Sequence, residues 1–114
     1  MSRAETPGRE ALISGDPQTV PIPGMVTMVD IGAKACIPCK MMIPVIENSS
    51  MKYEGRAAIV FIDVWKHPGE TPKYGVRAIP TQIFYDKDGK EFKRHEGYLD
   101  QASLDKIMAE LGVN

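Results

Sequence analysis

The sequence predicts an α/β domain in which a mixed central β-sheet carries helices on both faces. Three observations predict it. Residues 25–31 (MVTMVDI) and 57–63 (AAIVFID) are short apolar runs, the second apolar enough to read as a strand covered on both sides. Residues 39–52 and 101–111 carry apolar side chains at helical spacing. Residues 82–95 hold two further strand-like runs around Asp86-Lys87-Asp88-Gly89-Lys90, where Asp-Gly signals a hairpin. A crossover helix makes the first two strands parallel, and the hairpin adds antiparallel ones.

The chain has 114 residues, enough for one domain with a real core and no need of many disulfides. Its net charge of -1 and ordinary 43% hydrophobic content give no broad basic surface, so nucleic acid and anionic membrane are not expected partners. No run approaches the roughly 18 apolar residues of a membrane-spanning helix. Residues 1–22 lack the continuous apolar core of a signal peptide. That leaves a cytoplasmic protein, or an exported one whose leader has been removed.

The expected division is a partly ordered N-terminal extension, 1–24, and a domain, 25–114. Residues 2–9 are polar and read as a frayed tail. Residues 10–14 allow one helical turn, ended by Gly15. Three prolines, at 17, 21 and 23, make 16–24 extended. Val20 and Ile22 alternate with polar or proline positions there, so the segment should pack against the domain.

Strand 25–31 is interrupted by Asp30. An ionisable group in such a run is costly unless paired or functional. It is either a solvated residue near a strand end or a buried carboxylate. Gly32 to Ala35 form a small, nearly featureless loop. Then come both cysteines of the chain, in Ala35-Cys36-Ile37-Pro38-Cys39-Lys40. A strand leading into a dithiol at a helix start is the setting in which CxxC reads as a redox pair. Unpaired N–H groups and the macrodipole at a helix N-terminus favour an anion, here a Cys36 thiolate. Cys39, one turn on, is near enough to attack a mixed disulfide formed at Cys36. Pro38 falls in the first turn, where a missing N–H costs little. Half a zinc site, a static structural disulfide and a pair of unreactive thiols are the competing readings. His67 and His95, the only histidines, have no cysteine near them in sequence.

The helix that follows should bury Met42, Ile43, Ile46 and Met51 and kink at Pro44. Gly55 closes it. After strand 57–63, residues 64–73 form a loop, with a short helix at 71–74. The lone Trp65 is expected in core or half-buried packing, and His67 in solvent. Pro80 cannot donate to a ladder and so starts the strand 82–85. Residues 91–95 return as a charged edge strand, broken by Gly97. Asp100 or Ser103 caps the last helix, whose stripe is Leu104, Ile107, Met108 and Leu111, with Gly112 as its stop.

Asp30, Cys36-Ile37-Pro38-Cys39-Lys40, Pro44, Tyr74-Gly75-Val76-Arg77, Ile79-Pro80-Thr81, Asp88-Gly89-Lys90 and Gly97 together resemble the thioredoxin family in order and spacing, from about Met25 to Leu111. The resemblance implies the three-layer thioredoxin-like fold and a protein-disulfide reductase with no cofactor and no metal. It implies that Cys36 is the attacking cysteine, Cys39 the resolving one and Asp30 the carboxylate assisting proton transfer. It implies that Ile79-Pro80 is a cis-proline element facing the dithiol, where backbone pairs with an extended substrate segment. Ala35, Ile37, Pro38, Ile79 and Pro80 would line the substrate face. Disulfide-containing proteins would be the partners and a monomer the working form. A disulfide oxidase or isomerase, and a non-catalytic binding module on the same fold, are the alternatives.

The chain departs from the family at points near the dithiol. Ala35 stands where an aromatic usually precedes the first cysteine, Gly32 where a tryptophan is frequent, and Ile37 where glycine is usual. The lysine that often neighbours the buried carboxylate falls at Ile59. Asp30-Ile31-Gly32-Ala33, Asp63-Val64-Trp65-Lys66, Gln82-Ile83-Phe84-Tyr85-Asp86 and Arg94-His95-Glu96-Gly97-Tyr98 resemble a bacterial exported thioredoxin-like group. That finer likeness implies a periplasmic or other extracytoplasmic location, a membrane thiol electron donor, and a role in electron transport and cell redox homeostasis.

Overall fold

The structure, a computed structural model, describes residues 7–114. The frayed tail expected at 2–9 therefore lies mostly outside the described residues. In chain order the elements are α1 (Arg9–Leu12), β1 (Val26–Gly32), α2 (Ile37–Lys52), β2 (Ala57–Asp63), α3 (Glu70–Tyr74), β3 (Thr81–Tyr85), β4 (Glu91–Glu96) and α4 (Gln101–Glu110). The strands form one sheet in the order β2-β1-β3-β4, with β1 parallel to β2 and antiparallel to β3, and β3 antiparallel to β4. This is the mixed sheet of a thioredoxin-like fold.

Strand alternation sends side chains to two cores. On one face Met28, Ile59, Phe61 and Phe84 pack against Met42, Val45 and Ile46 of α2 and Leu104, Ile107 and Met108 of α4. On the other Val29, Ile31, Val60, Ile62 and Ile83 pack against Leu12 of α1, Ile22 and Val76, with Tyr74 of α3 at the margin. Both faces of β1 and β2 are buried throughout, which is why their sequences run apolar rather than alternating. Within 7–24, Leu12 and Ile22 are buried and Gly15 bridges to Ile62 beside β2. The hairpin turn closes on Asp86, whose carboxylate accepts the Asp88 and Lys90 N–H groups, and Gly89 takes the left-handed φ of +85° that the turn requires.

Some expectations fail. Met51 is 58% exposed, and the inward face of α2 is instead Met42, Val45, Ile46, Ser49 and Ser50. These recur at the helical period, and Met51 falls outside their arc. Trp65 is 60% exposed. It lies in the turn after β2, where Asp63 Oδ1 accepts the N–H groups of Trp65 and Lys66 and turns the chain away from the core. His67 is only half-buried and its Nε2 lies 3.3 Å from Asp16 Oδ1. Asp100 is the N-cap residue of α4, but its side chain makes no capping hydrogen bond.

Candidate active site

The site forms where β1 ends and α2 begins. Cys36 is the N-cap of α2, in extended conformation, and its Sγ accepts the Cys39 N–H at 3.4 Å. The Cys36 N–H donates to Ala33 O at 3.2 Å, fixing the turn that aims the sulfur. Pro38 lies in the first helical turn and breaks no hydrogen bond there. The two cysteines are joined as a disulfide, so this is the oxidised state. Cys36 keeps 8% of its surface exposed and Cys39 only 1%. An incoming sulfur would thus meet Cys36 first.

Around that sulfur Ala35 and Pro38 are exposed, and Ile37 projects with 75% of its surface in solvent. Opposite, the Ile79–Pro80 peptide is cis, and Ile79 packs on the small cluster of Ala33, Cys36 and Cys39. The carbonyls on either side are occupied. Ala78 O accepts from Thr81 Oγ1 at 2.6 Å, and Pro80 O accepts from the Gly97 N–H at 2.7 Å. Among the described residues, the Ile79 N–H and C=O carry no hydrogen bond. This pair of backbone groups beside the disulfide can receive an extended chain.

Asp30 is fully buried. On β2 it pairs with Phe61, not with Ile59, which pairs with Met28. The two positions differ by two residues and so share a face. In register the carboxylate faces an aromatic residue, and among the described residues no cation acts on it. Its Oδ1 accepts from Gln82 Nε2 at 2.8 Å, while Oδ2 has no partner among the described residues. A Cβ built on Gly32 would lie 3.3 Å from Asp30 Oδ2 and 3.4 Å from Cys39 Sγ, so carboxylate and sulfur look onto the same small space. Burial pushes the Asp30 pKa up from 3.8 to about 7, with the Gln82 hydrogen bond pulling back against it. A base that titrates near neutrality is suited to moving a thiol proton.

Sequence reasoning missed two residues here. Gln82 is fully buried beside Asp30. A polar residue inside an apolar strand, two places after Pro80, was the available signal. Asp63 ends β2 and accepts the Lys34 N–H at 3.2 Å on Oδ2, besides the Trp65 and Lys66 N–H groups on Oδ1. It therefore ties the loop that leads into Cys36 to the turn that carries Trp65. Among the described residues no group of three His, Cys, Asp or Glu side chains could hold a metal ion.

Comparison with known proteins agrees with this geometry. The thioredoxin family model matches residues 19–110. Thioredoxins of Staphylococcus aureus strains Mu50 and N315 are each 39% identical over 83 residues, covering 73% of this chain and 79% of the relative. The crystal structure of thioredoxin NaTrxh from Nicotiana alata is 37% identical and superposes with a TM-score of 0.66, covering 76% of this chain and 73% of that one.

Proposed function

The chain belongs to the thioredoxin family and is a thiol–disulfide oxidoreductase; from that premise we propose that it works as a reductant of protein disulfides, with Cys36 attacking and Cys39 resolving. The observation that carries the reading is the asymmetry of the two sulfurs. Cys36, at the helix N-cap, receives an N–H and touches solvent, whereas Cys39 is enclosed next to Asp30.

In the reduced protein the Cys36 thiolate is stabilised by the helix N-terminus and attacks one sulfur of the substrate disulfide. A mixed disulfide forms and the other substrate sulfur leaves as a thiolate. Asp30 takes the proton of Cys39. The Cys39 thiolate then attacks Cys36, the Cys36–Cys39 bond closes, and the second substrate sulfur departs. Two electrons have passed to the substrate. The free N–H and C=O of Ile79 hold the substrate chain by strand addition, with Pro80 behind it and Ala35, Ile37 and Pro38 around the sulfur.

The test is turnover of the insulin disulfides with dithiothreitol as electron source, together with the reduction potential of the Cys36–Cys39 pair. Acceleration with a potential near -270 mV, a value typical of thioredoxin, is expected. A potential near -120 mV would make it an oxidase, and no acceleration would leave a binding module.

The finer resemblance of 30–33, 63–66, 82–86 and 94–98 to an exported bacterial group supports an extracytoplasmic monomer fed by a membrane thiol donor. Trapping with Cys39→Ser should then capture an integral membrane partner through Cys36. A pool found wholly in the cytoplasmic fraction would remove this part of the reading.

A further inference from the structure

Gln82 pairs with Asp30 across β1 and β3, and both side chains are fully buried. A buried amide is costly where its polar ends lack partners. Only one end has one: Nε2 donates to Asp30 Oδ1, while Oε1 is without a partner among the described residues. Packing alone does not account for such a residue, because a methionine or leucine would fill the volume with no orphaned oxygen. The oxygens of Asp30 are unequal in the same way. Oδ1 is held, and Oδ2 lies free on the side of Cys39.

We infer that Gln82 is a positioning residue for proton transfer: by holding Oδ1 with a neutral donor, it leaves Oδ2, on the Cys39 side, as the oxygen that takes and returns the proton. The inference rests on the reading of Asp30 as the base for Cys39. A lysine in this contact would favour the ionised carboxylate throughout the cycle. An amide stabilises the anion less, and it keeps its hydrogen bond when Oδ2 is protonated, since the remaining carboxyl oxygen still accepts. The carboxyl group therefore stays in one orientation in both states. In the step itself the Cys39 S–H proton moves to Oδ2 and the Cys39 sulfur bonds to Cys36. The Cys36–substrate bond breaks with its electron pair on the substrate sulfur, and that thiolate takes up the proton Oδ2 releases.

Other ionisable side chains lie on the elements around this pair. Helix α2 presents Cys36 and Cys39. At the end of β2 the Asp63 carboxylate is occupied by three backbone N–H groups. From β4, His95 is in register with Gln82, and its Nε2 lies 3.0 Å from Tyr98 O. Lys34, in the loop before the dithiol, and Lys40, on α2, are exposed.

The experiment compares wild type, Asp30→Asn, Gln82→Met and Gln82→Glu. It reads the Asp30 carboxyl titration by NMR in the reduced protein, and the pH profile of mixed-disulfide resolution by acid quench. In Gln82→Met the ionised carboxylate loses a charge-assisted hydrogen bond, so its midpoint should rise by about 1–2 units, with resolution at pH 7 slower by about 5- to 50-fold. The initial attack by Cys36 should be unchanged. Gln82→Glu, which adds a like charge, should move the midpoint further up. A purely structural role would lower stability and leave both midpoints in place, and that result overturns the inference. If Asp30→Asn resolves as fast as wild type, the reading of Asp30 fails, whatever Gln82 does. Should either variant fail to fold, the Gln82 side-chain amide resonance of the wild type supplies the answer. It should titrate with the Asp30 midpoint, and an amide that ignores that midpoint overturns the assignment.

Discussion

Two aspartates lie against the two ends of α2. Asp30 sits under the first turn, beside the dithiol, fully buried, with one hydrogen bond and one unpartnered oxygen. Asp105 of α4 sits beside the last turn. It accepts from Lys52 Nζ at 2.8 Å, Tyr53 Oη at 2.5 Å and Gln101 Nε2 at 3.0 Å. Burial acts upward on both carboxyls. At Asp30 it wins, and the pKa stands at about 7. At Asp105 the three donors and the Lys52 charge outweigh it, and the carboxyl is held below its ordinary range. The same residue type, set against the same helix, is left with a raised pKa where donors are few and acts as a fastener where they are many. The catalytic end is thus left underpaired, and the far end of α2 is clamped by Asp105 and by the hydrogen bond from Gln101 to Ser49.

The two carboxyls should act on stability with opposite sign. The native pKa of Asp30 lies above its unfolded value of 3.8. Between about pH 4 and 7 the folded protein therefore binds more protons than the unfolded chain, and its stability falls as pH rises. The full penalty is present above pH 7. Three units correspond to about 4 kcal/mol as a ceiling, and asparagine keeps a buried polar group. Asp30→Asn should thus stabilise the oxidised protein by about 2–4 kcal/mol at pH 8 and by close to nothing at pH 4. Denaturant unfolding at the two pH values measures this. A variant less stable than wild type at pH 8 would mean that Asp30 has a compensating partner.

Asp105 should behave in the reverse manner. Its native pKa is depressed, so its contribution is fully present above the unfolded value and is lost as pH falls through the native one. Asp105→Asn should cost about 1–2 kcal/mol at pH 7, with the gap closing below about pH 4. Tyr53→Phe removes one donor from the same oxygen, and a double-mutant cycle with Asp105→Asn should show coupling of about 1 kcal/mol. Insulin turnover should be unchanged in both variants, because this cluster lies at the far end of the helix. A fall in turnover matching that of an Asp30 variant would erase the distinction between the two ends.

The sequence makes one side of this comparison far more legible than the other. The strands, the helix starting at the dithiol and the Asp-Gly turn are local signals, and the structure has them within a residue or two. Asp30 stood out because its own strand is apolar. The partner of Asp30 did not, since Gln82 lies 52 residues away and becomes a neighbour only through strand register. Register also sets what faces Asp30 on β2, Phe61 lying opposite it and Ile59 opposite Met28. A shift of two residues leaves the facing pattern intact, so periodicity is blind to it. The exposure of Trp65 is not legible locally, because burial of a lone aromatic is not a local property; it follows from the turn held by Asp63. The donors around Asp105 come from α2 and α4, and no spacing within either helix announces that they meet.

Gly32 offers the finest adjustment of the catalytic end. Its missing side chain leaves the small space onto which Asp30 Oδ2 and Cys39 Sγ both look. Gly32→Ala would place a methyl group 3.3 Å from the oxygen and 3.4 Å from the sulfur, tight contacts that neighbours can relieve by shifting a few tenths of an ångström. The backbone there is ordinary strand, so no left-handed conformation is lost. Global stability should therefore change by less than about 1 kcal/mol. The methyl group fills the space onto which both polar atoms look and sets apolar surface against the carboxyl, which raises its pKa. Resolution of the mixed disulfide at pH 7 should slow by about 2- to 5-fold, with the deficit recovered at higher pH as Asp30 ionises. Attack by Cys36, whose sulfur is not among the three atoms nearest that methyl group, should keep its rate. A pH-independent loss in both steps would show instead that the methyl displaces the dithiol turn, and the space above Gly32 would then be packing rather than a proton route.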